Sequence, residues 1–316
     1  MEPLVVVAGP TGSGKSDLAV RLATVFRGEI VNCDSVQVYR YFDIGSAKIP
    51  AADRCGISHH LLDIASPNEV FTAGDYARLA RAALREIRGR GRLPIVVGGT
   101  GFYLRALLEG LFEGPARDEG MRARLAHRER RRPGSLHRLL RRWDPDAAQR
   151  IHANDVNKVI RAVEVILTSR RPVSQMHRTG RKRLEGFRAL QLGLNPPREE
   201  LYRRLDTRSR RLFESGLIEE ARRILALGFE ETVKPFESLG YAQALRVIRG
   251  EIGLEAAVAE TQLRTRQYAK RQWTWFRRQA SLEWVDGFGS DEAVREWAEN
   301  RVRDFLYADI FRAHAG

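Results

Sequence analysis

Leu4-Val5-Val6-Val7-Ala8-Gly9-Pro10-Thr11-Gly12-Ser13-Gly14-Lys15-Ser16 runs from an apolar segment straight into a glycine-rich turn. Five apolar residues in a row read as a strand buried on both faces, the kind a parallel sheet contains. Gly9–Ser16 then matches G-x-x-x-x-G-K-[ST]. Glycines in such a turn let the backbone wrap closely, so that successive N–H groups point at phosphate oxygens. Ser16–Phe26 follows as an amphipathic helix with Leu18, Leu22, Val25 and Phe26 on one face, and its N-terminus adds the positive end of a helix dipole. Lys15 supplies a point charge, and the Ser16 hydroxyl is a candidate ligand for Mg²⁺. With a strand before it and a helix after it, the motif stands in the context it needs. It predicts a diphosphate or triphosphate ligand through Gly9, Pro10, Thr11, Gly12, Ser13, Gly14, Lys15 and Ser16, and leaves the reaction open.

Outward from the loop, strand and helix patterns alternate. Glu29–Asn32 reads as a second strand. Phe71–Arg88 reads as a helix with Thr72 as N-cap, Asp75 in the first turn, and a stripe of Tyr76, Leu79, Ala80, Ala83, Leu84 and Ile87. Gly89 and Gly91 end it, and Pro94–Gly98 is another buried strand. Alternation of this kind predicts an α/β fold, a P-loop-containing parallel-sheet core. The pattern breaks at Gly114-Pro115. Arg117–Arg183 carries helical signals and ten arginines between Arg117 and Arg142, with a turn at Pro133-Gly134. It reads as an all-helical insertion. Ala189–Leu194 and Leu282–Val285 then resume the strands. The expected division is 1–113 plus 188–316 for the core and 114–187 for the insertion.

The 316 residues are 43% apolar, enough for a substantial core. Fifty-four Lys and Arg against forty Asp and Glu give +14, with a pI near 10.4. That excess suits a polyanionic partner, or an arginine-rich proteome; composition alone does not choose. Cys33 and Cys55 have neither metal-finger nor disulfide spacing. No apolar run approaches the length of a membrane span, and no secretory leader pattern precedes the first strand. A cytoplasmic protein without a membrane partner is expected.

Further motifs narrow the function. In order come Asp34-Ser35-Val36-Gln37-Val38-Tyr39, Asp43-Ile44-Gly45-Ser46-Ala47-Lys48, His59-His60-Leu61-Leu62-Asp63, Gly98-Gly99-Thr100-Gly101-Phe102-Tyr103, and Thr265-Arg266-Gln267-Tyr268-Ala269-Lys270-Arg271-Gln272-Trp273-Thr274-Trp275-Phe276. Taken together these resemble the tRNA dimethylallyltransferase (tRNA isopentenyltransferase) family over nearly the whole chain. The resemblance implies a P-loop core with a helical insertion. It implies transfer of the dimethylallyl group of dimethylallyl diphosphate to N6 of the adenosine just 3′ of the anticodon, in tRNAs reading codons that begin with U. Diphosphate is released and Mg²⁺ is required. The chain departs from the family at Lys158, where Arg is usual, at Ala162-Val163-Glu164, at Ser238–Gln243 and at Gly12.

An adenine amine is a weak nucleophile that becomes acidic as its nitrogen bonds to carbon, so a carboxylate placed there can take the proton. Asp34, just past a strand end, is the candidate base, in agreement with the family; the alternative is an Asp that serves Mg²⁺ or a turn. Lys15, the loop amides and the Thr11 and Ser16 hydroxyls suit the leaving diphosphate. The resemblance adds Arg208, which its basic helix alone would mark only as a solvated charge. Thr100 is placed to meet the diphosphate or the target nucleotide. His59 and His60 read first as structural histidines. RNA contacts are expected from Asp34, Ser35, Val36, Gln37 and Thr100, from Arg122 and Asn157, Lys158, Val159, Ile160 and Arg161 on the insertion, and from Lys270 and Arg271, with the anticodon stem-loop as partner and a monomeric enzyme. A small-molecule P-loop kinase and an adenylate isopentenyltransferase are the competing readings. A hydrolytic NTPase would carry an acid after an apolar strand, and Pro94–Gly98 leads into Gly99-Thr100 instead.

Overall fold

The computed structural model describes residues 1–112, 114–115, 117–178 and 182–313. Chain contacts divide it into two compact units, residues 1–107 with 184–316, and residues 108–183. The sequence had placed these junctions a few residues later.

The larger unit begins with β1 (Glu2–Ala8), α1 (Lys15–Val25), β2 (Gly28–Asn32), β3 (His59–His60), α2 (Ala73–Gly89), β4 (Leu93–Val97) and α3 (Gly101–Leu108). The strands form one six-stranded sheet in the order β3-β2-β4-β1-β5-β6, where β5 is Phe187–Asn195 and β6 is Leu282–Asp286. Every pairing is parallel, with Val7 opposite Val97 and Leu192. The continuous apolar runs demand this: β1, β2 and β4 are buried on both faces and need cover on each. α1 lays Leu18, Ala19, Leu22 and Ala23 against Val5, Val7, Ile30 and Ile95, together with Val294, Ala298 and Val302 of the last helix. Val25, expected on that buried stripe, is 38% exposed. At ~100° per residue it lies off the side of a face centred between Leu18 and Ala23, whereas Phe26 falls back onto it and packs.

α2 starts where the sequence placed its cap. Thr72 Oγ1 accepts from the Asp75 N–H at 3.1 Å, and the Asp75 carboxylate accepts from the Thr72 N–H at 3.2 Å, a complete capping box.

The smaller unit is helical among the described residues: α4 (Glu119–Arg131), α5 (Ser135–Trp143), α6 (Pro145–Arg150), α7 (Val156–Ser169) and α8 (Val173–Arg178). Residues 179–181 of the stretch read as helical lie outside the described residues. Leu125, Leu136, Leu140, Val159, Ile160 and Val163 form its core.

After β5 the larger unit continues with α9 (Arg198–Glu214), α10 (Leu217–Ala226), α11 (Tyr241–Ile248), α12 (Leu254–Phe276), β6 and α13 (Glu292–Ala313). A second apolar cluster, including Phe42, Phe213, Phe236 and Tyr241, joins α9–α12 to the segment after β2. Among the described residues no helix is long and apolar enough to cross a membrane.

Candidate active site

Parallel strands put all their carboxyl ends on one edge of the sheet, and that edge is where open α/β sheets bind ligands. Four segments therefore converge here: Gly9–Gly14 after β1, Cys33-Asp34 after β2, Gly98-Gly99-Thr100 after β4, and α9 after β5.

The first segment is a tight wrap. Gly14 sits at φ 80° as the N-cap of α1, a left-handed conformation that glycine adopts without a side-chain penalty. Gly289 braces the loop from behind, donating its N–H to the Ser13 carbonyl at 2.8 Å. The first amides of α1 have no partner within the helix and so suit an anion. Lys15 Nζ donates to the Pro10 carbonyl at 2.6 Å. Burial lowers the Lys15 pKa to about 7; Arg208 pushes it the same way and Asp34 opposes them. Burial likewise lowers the pKa of Arg208, again against the pull of Asp34. Asp34 thus supports the charged form of both buried basic groups.

Asp34 is oriented by its own turn. Oδ1 accepts the N–H groups of Val36 at 2.8 Å and Gln37 at 3.2 Å. Oδ2 has no hydrogen-bond partner among the described residues. The Gln37 amide donates to the carbonyls of Ser46 at 3.1 Å and Ala47 at 3.4 Å, which ties the turn to the next loop. That loop is held in turn by Lys48, whose buried ammonium reaches Asp43 at 2.5 Å, Asp63 at 2.6 Å and the Tyr39 carbonyl at 3.0 Å. The Asp43–Lys48 and His59–Asp63 motifs are thereby joined in a single clasp.

Gly98 must be glycine because a Cβ there would lie 2.0 Å from the Cys33 carbonyl oxygen. Its closeness lets Thr100 Oγ1 accept the Ser35 N–H at 3.1 Å. Burial raises the Tyr268 pKa, and the neighbouring Thr100 hydroxyl opposes that rise.

Two cavities meet at these residues. The first, about 330 Å³, is lined by Thr11, Gly12, Gly14, Lys15, Ser16 and Asp17, and by Ile30, Ile49, Leu62 and Val97. The second, about 340 Å³, is lined by Ser35, Val36, Ser238, Thr265 and Arg271. Thr11, Asp34, Ser46, Arg208 and Tyr268 line both. The two cavities thus share a wall that carries the candidate base.

The family model for IPP transferase matches residues 37–279. A tRNA dimethylallyltransferase of Solibacter usitatus (strain Ellin6076) is 62% identical over 304 residues, covering 96% of this chain and 99% of the relative. One of Koribacter versatilis (strain Ellin345) is 52% identical, covering 92% and 95%. The crystal structure of a full-length tRNA isopentenylpyrophosphate transferase from Bacillus halodurans superposes with TM-score 0.73 at 35% identity, covering 99% of this chain and all of that one. A eukaryotic dimethylallyltransferase acting on tRNA gives TM-score 0.80 at 27% identity, covering 99% of this chain and 80% of its own.

The chain belongs to the IPP transferase family.

As an IPP transferase it brings together, in the larger unit, the Gly9–Ser16 loop, Asp34–Gln37, Thr100, Arg208 and Arg271. Thr100 stands behind the cavity walls and holds Ser35, rather than lining either chamber. Lys270 is exposed on α12 and lines neither cavity. The remaining candidates lie in the helical unit. Arg122 and Arg161 each reach the fully buried Glu164 at 3.0 Å, and Arg161 also donates to the Pro115 carbonyl at 2.8 Å. Val159 and Ile160 are core residues. Asn157 and Lys158 are exposed, with Lys158 paired to Asp155.

The sequence assigns no functional role to several residues that line or brace the cavities. His59 lines the first cavity, its Nδ1 2.8 Å from the Ile57 carbonyl, whereas His60 pairs with Glu29 at the sheet edge. Arg204 lines the first cavity with its guanidinium 3.4 Å above the Phe288 ring. Gln272, on α12, reaches Thr11 and Gly99. The Tyr268 and Gln272 spacing of four places both on one helix face, the single hint that the sequence offers.

Proposed function

We propose that this chain transfers the dimethylallyl group of dimethylallyl diphosphate to N6 of the adenosine 3′ of the anticodon in tRNAs reading codons that begin with U, releasing diphosphate. The observation that carries the reading is the shared wall: Thr11, Asp34, Arg208 and Tyr268 face both a phosphate-gripping cavity and a second chamber. The relatives' names agree with it.

The donor diphosphate lies on the Gly9–Ser16 loop, against the α1 amides, Lys15 and the Thr11 and Ser16 hydroxyls. Its short branched tail has Ile30, Ile49, Leu62 and Val97 for company in the same cavity. The adenine enters the second chamber, flipped out of its loop. N6 attacks the allylic carbon: a C–N bond forms, the C–O bond breaks, and its electron pair goes to the diphosphate. Asp34 Oδ2 takes the N6 proton. Lys15 and Arg208 stabilise the charge growing on the diphosphate. Among the described residues no three acidic, His or Cys side chains gather into a cage. Mg²⁺ is nonetheless compatible with the residues present, because Mg²⁺ binds through few protein ligands plus substrate phosphates. The Ser16 hydroxyl and Asp17 carboxylate, both lining the donor cavity, would hold it, where it would offset phosphate charge.

Arg271 and Tyr268 suit an RNA loop, as a cation beside a stacking ring. Asn157 and Lys158 supply exposed polar groups on the helical unit, which takes the anticodon stem. The enzyme acts as a cytoplasmic monomer. Labelled dimethylallyl diphosphate with bulk tRNA, followed by nucleoside analysis, tests the reading. Label in N6-dimethylallyladenosine is expected. ATP turnover without label transfer would favour a kinase, and label on free AMP an adenylate enzyme.

A further inference from the structure

Gln272 lies on α12, far from the loops in sequence, yet its side chain is buried between two of them. Oε1 accepts the Thr11 N–H at 2.7 Å, and Nε2 donates to the Gly99 carbonyl at 2.8 Å. Thr11 and Gly99 follow β1 and β4, neighbouring parallel strands in register at Val7 and Val97. Their last backbone rung is Gly98 N–H to the Val7 carbonyl, at 3.3 Å. Beyond it Thr11 and Gly99 both line the first cavity. A primary carboxamide offers the same donor and acceptor as a peptide group. Gln272 therefore supplies one more rung where the ladder has ended.

What that rung joins matters. Thr11 belongs to the phosphate grip and lines both chambers. Gly99 precedes Thr100, which holds the Ser35 N–H beside Asp34. Thr11 thus belongs to the lip that grips the leaving group, and Gly99 to the lip that orients the base. The fit is tight, because a Cβ on Gly99 would come within 2.2 Å of Nε2.

We propose that Gln272 is a positioning residue that fixes the gap between the diphosphate loop and the loop behind Asp34, and so sets the alignment of donor carbon and adenine amine. The proposal rests on the transferase reading above. Gln272→Met removes both hydrogen bonds at similar volume. Misplacement of about 1 Å at a reacting centre costs about a hundredfold in rate. The single-turnover rate at saturating substrates is therefore expected to fall about a hundredfold, with donor KM and tRNA Kd within about threefold of the parent. Gly99→Ala, which presses a methyl onto Nε2, should lose rate in the same way. Adding Gln272→Ala to Gly99→Ala should cost less than the two single losses combined, because the amide being struck is gone.

Circular dichroism and thermal melting identify folded variants, and the rate is compared per folded enzyme. A parental rate in folded Gln272→Met, a loss confined to donor KM or tRNA affinity, or strict additivity of the Gly99–Gln272 cycle would each overturn the proposal. If Gln272→Met does not fold, the Gly99→Ala arm decides, and a parental rate there overturns it. A parent enzyme that fails to label tRNA refutes the transferase reading instead, so the two failures are distinct.

Discussion

If Lys15 grips the donor diphosphate as proposed, its lowered pKa makes donor binding a proton-coupled event. In the free site, burial and Arg208 bring its pKa to about 7. Below that value Lys15 is charged and ready for an anion; above it the free enzyme is increasingly neutral at this position. Diphosphate favours the charged form, so binding raises the pKa and draws a proton from solvent at pH 8. If only the charged form grips the donor, the apparent Kd scales as the reciprocal of the charged fraction. At pH 8 that fraction is about one tenth, so affinity should be about tenfold weaker than at pH 6, approaching a hundredfold at pH 9. Calorimetric titration with dimethylallyl diphosphate, at fixed Mg²⁺ and without tRNA, measures this. Repeating it at pH 8 in two buffers of different ionisation enthalpy should read uptake of about 0.9 proton. The donor's own ionisation contributes too, and Lys15→Arg separates it, since a guanidinium stays charged throughout. The alkaline limb should vanish in that variant relative to the parent. A parent affinity that is flat from pH 6 to 8.5, or the same slope in Lys15→Arg, would refute the reasoning.

Asp34→Asn keeps an acceptor for the Val36 and Gln37 amides but cannot take a proton; kcat should fall by about 10²–10⁴ with tRNA Kd unchanged in a filter-binding assay. Arg208→Ala should lower kcat by about 10²–10³. It should also move the alkaline limb of donor binding to higher pH, because Arg208 is one of the groups holding the Lys15 pKa down. Since the cations face a leaving group that gains charge, diphosphate should dissociate slowly. Rapid quench should then show a burst of about one modified adenosine per enzyme before steady state, and a linear trace from zero time would contradict this.

The sheet was legible because its strands are continuous apolar runs, and because the Gly9–Ser16 loop names both its neighbours. The Thr72 cap and the insertion were legible for the same reason, that their signals are local. Errors arose where a tertiary surface decides. Val25 has the right chemistry for α1's buried face but the wrong angle once α1 docks on the sheet. Arg122 and Arg161, expected at the RNA, also flank Glu164, a buried carboxylate 42 and 3 residues away, a second role that no local pattern shows. At the site, Asp34 could be placed by its position after a strand. Arg208 could not be placed without the family resemblance: it is one of six arginines on α9, and in the structure the approach of α9 to Lys15 and Asp34 singles it out. Gln272 is the extreme case, with partners 261 and 173 residues away and no periodicity that marks a buried amide as a bridge.

The proposed transfer asks one carboxylate to serve two buried basic groups. Asp34 supports the charged forms of both Lys15 and Arg208, against the burial that disfavours them. In the proposed transfer it becomes neutral as it takes the N6 proton. At the same moment the diphosphate gains the electron pair of the broken C–O bond. One negative charge is therefore lost at Asp34 and gained at the diphosphate, with no change in the sum. A buried site of low polarisability strongly disfavours any step that creates net charge, because little solvent is there to respond. A step that only relocates charge between fixed partners avoids that cost. Asp34 and the loop must then lie close enough to share Lys15 and Arg208, which is the condition that the shared wall of Thr11, Asp34, Arg208 and Tyr268 meets.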